Sequence, residues 1–397
     1  MSNYRPINRC LCCDSERLHG YLDLGDQPLA NAYHHGEKLE RFPLQVNLCK
    51  DCWHSQLSVS VDPRVMFEHY LYISDTSKTL RDYFENLAEL VISRAGSGTV
   101  LEVASNSGLF LEMFLNRGCK CLGVDPAKNL KPLAEARGLE QLDEFWDLDL
   151  ANKMAAEGRL FDTVLAIHVL PHVPNPTSFL LGCKRVLTPS GRIYVQTSQC
   201  DMFLNNEFDA IYHEHSSYFT ASSFRRLADN IGLKVTGAWK FPIHSMSFLF
   251  ELSSSGEHDS SFLKMVEDES QSLSKYLEFA SRAETIKTRL KATLDNYRSQ
   301  GMKVVGYGAA AKGNTLLNYM NYKLDYIVDD NPLKQGYLTP GMDIPIVPPK
   351  QVSQESKPVA ILVLAWNFFE EIRQRIAETS EVRHVFVRYF PDVAVNQ

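Results

Sequence analysis

The sequence predicts an α/β chain in which a small metal-bound N-terminal module precedes two Rossmann-like α/β domains. Three observations carry that reading. Two Cys-x-x-Cys pairs stand near the start, at Cys10/Cys13 and Cys49/Cys52. An apolar strand from Thr99 runs into the turn Glu102-Val103-Ala104-Ser105-Asn106-Ser107-Gly108, and a second strand from Lys303 runs into Gly306-Tyr307-Gly308-Ala309-Ala310-Ala311-Lys312-Gly313. Paired thiols at short spacing are metal ligands, and strand–turn–helix units with small residues in the turn are how doubly wound sheets hold nucleotides. With 397 residues, 44% of them hydrophobic, the chain can bury cores for two or three domains. The expected bounds are 1–75 for the metal module, 76–255 for the first α/β domain and 256–397 for the second.

The N-terminal module comes first. Nine Cys are an odd number and too sparse for a disulfide scaffold, so Cys10, Cys13, Cys49 and Cys52 are expected to hold one structural zinc as four thiolates. Cys12 could replace Cys13 in that set; Cys119, Cys121, Cys183 and Cys200 fall in core elements, where a thiol packs as a small hydrophobe. A formal charge of −7 without a long basic run excludes nucleic acid as a partner. No apolar signal core opens the chain and no apolar run could cross a bilayer, so a cytoplasmic monomer without membrane contact is expected.

In the central domain, an amphipathic stretch over Thr79–Ser93 precedes a strand over Thr99–Ala104 and a helix over Leu109–Asn116. A second strand over Lys120–Val124 closes on Asp125, where such sheets place an acid on ribose hydroxyls. That spacing suits NAD or S-adenosylmethionine. A pyrophosphate turn normally needs three glycines for its amides to approach the phosphates, and here only Gly108 remains, which favours S-adenosylmethionine. A strand over Asp162–Ile167, a helix over Pro176–Leu187 and a strand over Arg192–Gln196 continue a class I methyltransferase-like pattern. The residues expected at the cofactor are Glu102, Ala104, Asn106, Gly108, Asp125, Pro126, Phe145 and His168.

Acid–base groups crowd into Tyr212-His213-Glu214-His215, after the fifth strand. Extended backbone there would put Tyr212 and Glu214 on one side and His213 and His215 on the other, with Glu214 orienting an imidazole base. His168 and His172 follow the fourth strand, on the loop that faces methyl donor and acceptor, and Tyr70 and Tyr72 read by type as packing. An apolar stripe over Ser261–Tyr297 predicts one connecting helix. Beyond it come a strand over Lys303–Tyr307, a helix over Thr315–Met320, a strand over Asp325–Val328 and further strands over Ile344–Val347, Val359–Leu364 and His384–Val387. Lys312 could meet a phosphate, while the small residues around it could equally serve close helix–sheet packing.

These segments, with Asp23-Leu24-Gly25, Pro28-Leu29-Ala30-Asn31, Tyr218-Phe219, Asn331-Pro332-Leu333-Lys334-Gln335-Gly336 and Leu364-Ala365-Trp366-Asn367, resemble the nucleotide-sugar C-methyltransferases over essentially the whole chain. The resemblance implies a zinc module, an S-adenosylmethionine domain and a C-terminal domain that holds the substrate, a nucleotide-linked keto-deoxysugar methylated at carbon 3. It implies that Tyr212, Glu214 and His215 remove the proton beside the ketone, with His172 and Tyr70 or Tyr72 lining the pocket. Tyr307, Lys312, Gly313 and Asn314 are expected at the nucleotide sugar. The reaction so implied starts when His215, oriented by Glu214, takes the carbon 3 proton and Tyr212 stabilises the enolate; zinc is remote and structural. One segment departs from the family: where Gly-Gly-Ser-Leu-Arg is usual, this chain reads His244-Ser245-Met246-Ser247-Phe248-Leu249. Methylation at oxygen or nitrogen, or nucleotide-sugar binding without turnover, are the alternative readings.

Overall fold

Alternation along Phe42, Leu44, Val46 and Leu48, each buried, commits one face of the N-terminal strands to a core. In a computed structural model, which describes residues 3–67, 78–243 and 245–396, β2 (Leu18–Gln27), β3 (Phe42–Cys49) and β4 (Ser55–Leu57) form an antiparallel meander. β1 (Tyr4–Pro6) pairs with β5 (Val59–Val61), and the short helix α1 (Pro63–Phe67) follows.

The central domain opens with α2 (Lys78–Ala95), which buries Leu80, Phe84, Leu87, Ala88 and Val91 at helical spacing. Alternating elements follow: β6 (Thr99–Val103), α3 (Leu109–Leu115), β7 (Lys120–Val124), α4 (Lys131–Ala136), β8 (Glu140–Leu142), α5 (Leu148–Ala156), β9 (Phe161–Ile167), α6 (Pro176–Arg185) and β10 (Leu187–Thr197). Asp147 and Asn175 cap α5 and α6 by accepting the N–H groups of Leu150 and Ser178. After α7 (Met202–Asn205), the two-residue strand β11 (Ser217–Tyr218) leaves this domain and joins β4 of the N-terminal sheet. Then α8 (Ala221–Asn230), β12 (Lys234–Phe241) and β13 (Ser247–Ser253) complete a seven-stranded sheet of order β12-β13-β10-β9-β6-β7-β8. Only β13 runs antiparallel to its neighbours. Because β6 lies between β7 and β9, the crossovers change direction there and leave a crevice at the carboxyl ends of β6 and β9.

The expected single helix over Ser261–Tyr297 is two, α9 (Ser260–Asp268) and α10 (Leu273–Ser299). Between them the Glu269 carboxylate accepts the N–H groups of Ala221 (2.5 Å) and Ser222 (2.8 Å), capping α8, and Ser272 restarts the helix by capping Lys275. Side-chain capping outcompetes helix continuation there.

The C-terminal domain comprises β14 (Val304–Tyr307), α11 (Ala311–Met320), β15 (Ile327–Val328), β16 (Ile346–Val347), α12 (Lys350–Ser353), β17 (Ala360–Val363), α13 (Phe369–Thr379), β18 (Val385–Arg388) and β19 (Ala394–Asn396). Its strand order, β16-β15-β14-β17-β18-β19, puts a second crevice at the carboxyl ends of β14 and β17. One apolar core joins the pieces: Leu44, Val46 and Leu48 of the first sheet, Phe203, Phe208 and Tyr218 of the central segment, Tyr276 and Leu290 of α10, and Leu316 and Leu362 of the last domain. Among the described residues no helix is long and apolar enough to cross a membrane.

Candidate active site

The loop leaving β6 is shaped by backbone that side chains rarely tolerate. Ala104, Asn106 and Gly108 all have positive φ, at 61°, 52° and 77°. Gly108 is required twice, because a Cβ there would lie 2.5 Å from Leu139 Cδ1. Asp125, at the end of β7, ties the loop down: one carboxylate oxygen accepts the Asn106 N–H and the other the Ala127 N–H, each at 2.8 Å. Burial pushes the Asp125 carboxyl up, and those two amides partly restrain it. Glu102, near the end of β6, is 4% exposed, and its Oε2 has no hydrogen-bond partner among the described residues; burial, with Asp125 nearby, raises its carboxyl well above the usual range. Pro126 is half-buried beside Asp125, the Phe145 ring is 37% exposed, and His168 stands at the end of β9 with φ 56°. Seven of the eight residues expected at the cofactor follow the carboxyl ends of β6, β7, β8 or β9, and Glu102 is the last but one of β6.

The four expected thiols converge. Cys10 and Cys52 have their sulfurs 3.5 Å apart, as do Cys13 and Cys49, and all four sulfurs lie within 4.8 Å of one another. A tetrahedral zinc with bonds of about 2.3 Å needs sulfurs roughly 3.8 Å apart, so the set fits the metal. Cys12 is buried but outside the cluster, which decides the register in favour of Cys13.

The Tyr212–His215 stretch is a turn, not extended backbone. The His215 N–H donates to the Tyr212 carbonyl at 2.8 Å, and this closure brings side chains three apart onto one side. The rings of Tyr212 and His215 lie 4.1 Å apart, with the phenolic oxygen 3.0 Å from Nε2. On the far side of the imidazole, Nδ1 is 2.7 Å from the Ala210 carbonyl, which can only accept. Nδ1 therefore carries the hydrogen, Nε2 presents its lone pair, and the Tyr212 hydroxyl donates to it. The Gln199 Nε2 also lies 2.7 Å from Nδ1, so with this tautomer the amide has to turn over to bring its oxygen to the ring.

Both ring nitrogens of His215 have partners other than Glu214, the residue expected to orient the imidazole. The Glu214 carboxylate accepts from Asn31 Nδ2 of the N-terminal module at 2.6 Å, and the Glu214 main-chain carbonyl accepts the Nδ1–H of His172 at 2.7 Å. His172 packs against His215 with ring centres 4.9 Å apart, and burial pulls its imidazole down to about 4, leaving it neutral near pH 7. His213 turns away to donate to the Pro43 carbonyl at 3.3 Å, and burial lowers it to about 4 as well. Tyr70 and Tyr72 lie outside the described residues.

On the C-terminal domain the four expected substrate residues are not brought to one point. Tyr307 donates to Asp330 (3.2 Å) and receives Arg375. Lys312 lies 3.6 Å from the Glu207 carboxylate and 4.6 Å above the Trp366 ring. Asn314, 1% exposed, donates to the Ala30 carbonyl at 2.8 Å. Gly313 serves packing, since a Cβ there would sit 2.8 Å from Leu364 Cβ.

Three family models match the chain in order: a zinc binding domain over 10–67, a methyltransferase domain over 72–237 and a C-methyltransferase C-terminal domain over 245–391. The C-methyltransferase NovU of Streptomyces niveus is 30% identical over 411 aligned positions, covering 98% of this chain and 97% of the relative. The chain belongs to the C-methyltransferase family. A ubiquinone biosynthesis O-methyltransferase of Pseudomonas paraeruginosa is 34% identical over 128 residues, 30% of this C-methyltransferase and 53% of the relative. A 1,6-didemethyltoxoflavin-N1-methyltransferase of Burkholderia thailandensis, 16% identical, covers 53% of this chain and 98% of its own, with a TM-score of 0.35.

The C-methyltransferase uses S-adenosylmethionine, and its N-terminal domain binds zinc. The Glu102 Oε2, without a hydrogen-bond partner among the described residues, suits the cationic end of that cofactor, and the Asp125 carboxylate, with lone pairs to spare, suits ribose hydroxyls. Sequence reasoning missed Gln199 and Asp209. Gln199 is 4% exposed with φ 76°, a backbone state no local motif announced. Ser245 holds a φ of 77°, a conformation that favours glycine, and its hydroxyl donates to Glu207 at 2.6 Å.

Proposed function

We propose that this C-methyltransferase adds a methyl group to carbon 3 of a nucleotide-linked 4-keto-deoxysugar, with Tyr212 and His215 as a joined base. The observation that carries the base assignment is the Tyr212 hydroxyl 3.0 Å from the Nε2 lone pair of an imidazole whose Nδ1–H is held by the Ala210 carbonyl. The ketone acidifies the hydrogen on carbon 3. As that carbon–hydrogen bond breaks, its electron pair moves toward the ketone oxygen to form the enolate. The proton goes to the Tyr212 oxygen while the Tyr212 proton passes to Nε2. The resulting imidazolium keeps its Nδ1–H on the carbonyl, so no buried donor is stranded. Tyr212 thus stands between carbon and imidazole, a closer role than the enolate stabilisation expected from the sequence. Bound S-adenosylmethionine supplies the electrophilic methyl group that carbon 3 takes up. Glu102, Asn106, Asp125 and Phe145 would hold that cofactor. Zinc takes no part in proton removal.

Lys312 beside Trp366, at the crevice between β14 and β17, supports binding of the nucleotide part there. The test is a panel of 4-keto nucleotide sugars incubated with labelled cofactor, in light water and in deuterated water. The expected result is methyl transfer to one of them together with solvent deuterium at carbon 3. Both should disappear in Tyr212→Phe and in His215→Ala alike, because the proton passes through the first group to the second. Methylation of a keto sugar without cleavage of the carbon 3–hydrogen bond would move the acceptor to oxygen or nitrogen and sink the proposal.

A further inference from the structure

The segment that precedes the Tyr212 turn is held by the C-terminal domain, and that grip ends on the imidazole. Asp209 is 1% exposed. Its Oδ2 accepts the hydroxyl of Tyr389 at 2.6 Å and the indole N–H of Trp366 at 2.8 Å, while Oδ1 is buried without a hydrogen-bond partner among the described residues. Both donors come from the last domain: Trp366 follows β17 at the crevice and Tyr389 follows β18. Asp209 sits in the 3-10 turn Phe208–Ala210, and the very next residue supplies the carbonyl that accepts the His215 Nδ1–H at 2.7 Å.

We propose that Asp209 is a positioning residue: it clamps the 208–210 turn to Trp366 and Tyr389, and so aims the Ala210 carbonyl that keeps the His215 hydrogen on Nδ1. The inference rests on the reading of Tyr212 and His215 as the base. The two tautomers of neutral imidazole are close in energy, so the partner of one nitrogen decides which carries the hydrogen. If the turn swings and the Ala210 carbonyl moves out of line, the Gln199 Nε2, 2.7 Å from Nδ1, can donate to that nitrogen and the hydrogen is free to sit on Nε2. That nitrogen then has no lone pair for the Tyr212 proton, and proton transfer from carbon 3 has nowhere to end. A hydrogen bond weakens steeply with angle, so a tilt of the turn suffices. The base is therefore set correctly only while the C-terminal domain is seated against the central one. A domain that holds the substrate handle would thus also ready the group that attacks the substrate.

The experiment uses the full-length, zinc-loaded protein and the variants Asp209→Ala, Asp209→Asn and Tyr389→Phe. Nitrogen NMR of histidine-labelled protein reads the His215 tautomer without substrate, with the His215→Ala spectrum assigning the signal. Steady-state kinetics gives kcat and KM, and calorimetry gives cofactor affinity. In Asp209→Ala, kcat should fall roughly tenfold to a hundredfold, by analogy with the outer partners that orient metal-bound imidazoles. Cofactor affinity should stay at the wild-type value, and the His215 signal should move from the Nδ1–H pattern toward a mixture. Asp209→Asn, which keeps one acceptor oxygen, should recover part of both. Tyr389→Phe removes one of the two donors and should lower kcat about threefold to tenfold. It should add nothing further in the Asp209→Ala background, because both act through one clamp. An unchanged tautomer signal with unchanged kcat in folded Asp209→Ala would overturn the proposal. Should that variant fail to fold, Tyr389→Phe decides on the same two readouts. Failure of the base reading is separate: it would appear as undiminished deuterium exchange in His215→Ala, whatever Asp209 does to the tautomer.

Discussion

Stripping zinc from the N-terminal module, by chelation or by Cys52→Ser, should slow methyl transfer through a backbone ladder rather than through global unfolding. Cys52 is followed after two residues by β4, and β4 pairs with β11 in the registers Ser55↔Tyr218 and Gln56↔Ser217. The Leu57 N–H donates to the Ser216 carbonyl at 3.0 Å, one residue beyond His215. The thiolate knuckle itself is closed by bonds from Trp53 N–H to the Cys49 carbonyl and from Cys49 N–H to the His54 carbonyl, so β4 begins where the metal site ends. Backbone hydrogen bonds contribute about 1 kcal/mol each, so the two ladder pairs and the Leu57 bond together hold the turn by about 3 kcal/mol. Their loss would raise local opening of 216–218 by roughly a hundredfold. Leu44, Val46, Leu48 and Leu57 would stay in the core shared with Tyr276 and Phe279 of α10, so the midpoint of thermal unfolding should move far less than activity. Hydrogen exchange by mass spectrometry on peptides covering 55–57 and 216–218, alongside kcat, measures both sides. If the zinc-free protein shows wild-type exchange in those peptides, the metal does not hold the turn; if it exchanges fast there yet turns over at full rate, the order of the turn does not set methyl transfer.

Three further outcomes are expected. Asp125→Ala should weaken S-adenosylmethionine binding at least tenfold by calorimetry while leaving sugar-nucleotide binding alone, because Asp125 is at once an acceptor in the cofactor crevice and the tether of the Asn106 N–H. Lys312→Ala should raise KM for the nucleotide sugar without changing cofactor affinity, since a remote handle contributes uniform binding; a defect confined to the cofactor would reject the assignment. Glu251→Gln should cost about 3 kcal/mol of stability in urea titrations at pH 7, because the fully buried carboxylate is held by Arg94, Arg192, Tyr194 and Thr236. Burial alone would raise the Glu251 carboxyl, but the hydrogen bonds from Arg94, Thr236 and Tyr194 hold it below the usual range. Its stabilisation is thus present above the ordinary carboxylate pKa and lost as pH falls through the depressed folded value. Comparing wild type and Glu251→Gln between pH 7 and pH 3 should show the gap closing; a constant gap would refute the linkage.

The central sheet was legible because period-two and helical patterns and cap residues agree along it: β7 spans the expected Lys120–Val124, and β6 and β9 differ by one residue at an end. The cysteine set was legible because ligand spacing is a local property. β8, β12 and β13 were not read. β8 is three residues long, and all seven residues of β13 are buried, Glu251 among them, so no alternation marks it. The break between α9 and α10 escaped because its cause, the grip of Glu269 on α8, is a contact 48 residues away. The same holds for the base: the residue types in Tyr212-His213-Glu214-His215 were visible, but only the turn closure from His215 N–H to the Tyr212 carbonyl pairs Tyr212 with His215 instead of Glu214 with His215.

What organises the site is that residues 207–218 belong by contact to all three parts of the chain. Glu207 and Asp209 face Lys312, Trp366 and Tyr389 of the last domain; Glu214, Ser217 and Tyr218 are held by Asn31, Gln56 and Ser55 of the first; His215 meets Gln199 and His172 of the central one. A loop that carries a base pays entropy to hold a reactive geometry, and a loop pinned at both ends by separate domains has already lost that freedom before substrate arrives. This accounts for a pattern in the sequence that residue types alone left unexplained. Segments with no acid–base chemistry, Pro28-Leu29-Ala30-Asn31 and Leu364-Ala365-Trp366-Asn367, stand among those that carry the family resemblance. Each holds one end of the turn proposed to carry the base, Asn31 through Glu214 and Trp366 through Asp209. On that argument, Asn31→Ala and Trp366→Phe should each lower kcat with little change in cofactor affinity. The two losses should exceed their sum on a free-energy scale when combined, because either pin alone still restrains the turn. Strict additivity in the double variant would mean that the two ends act independently and that the turn is not held as one unit.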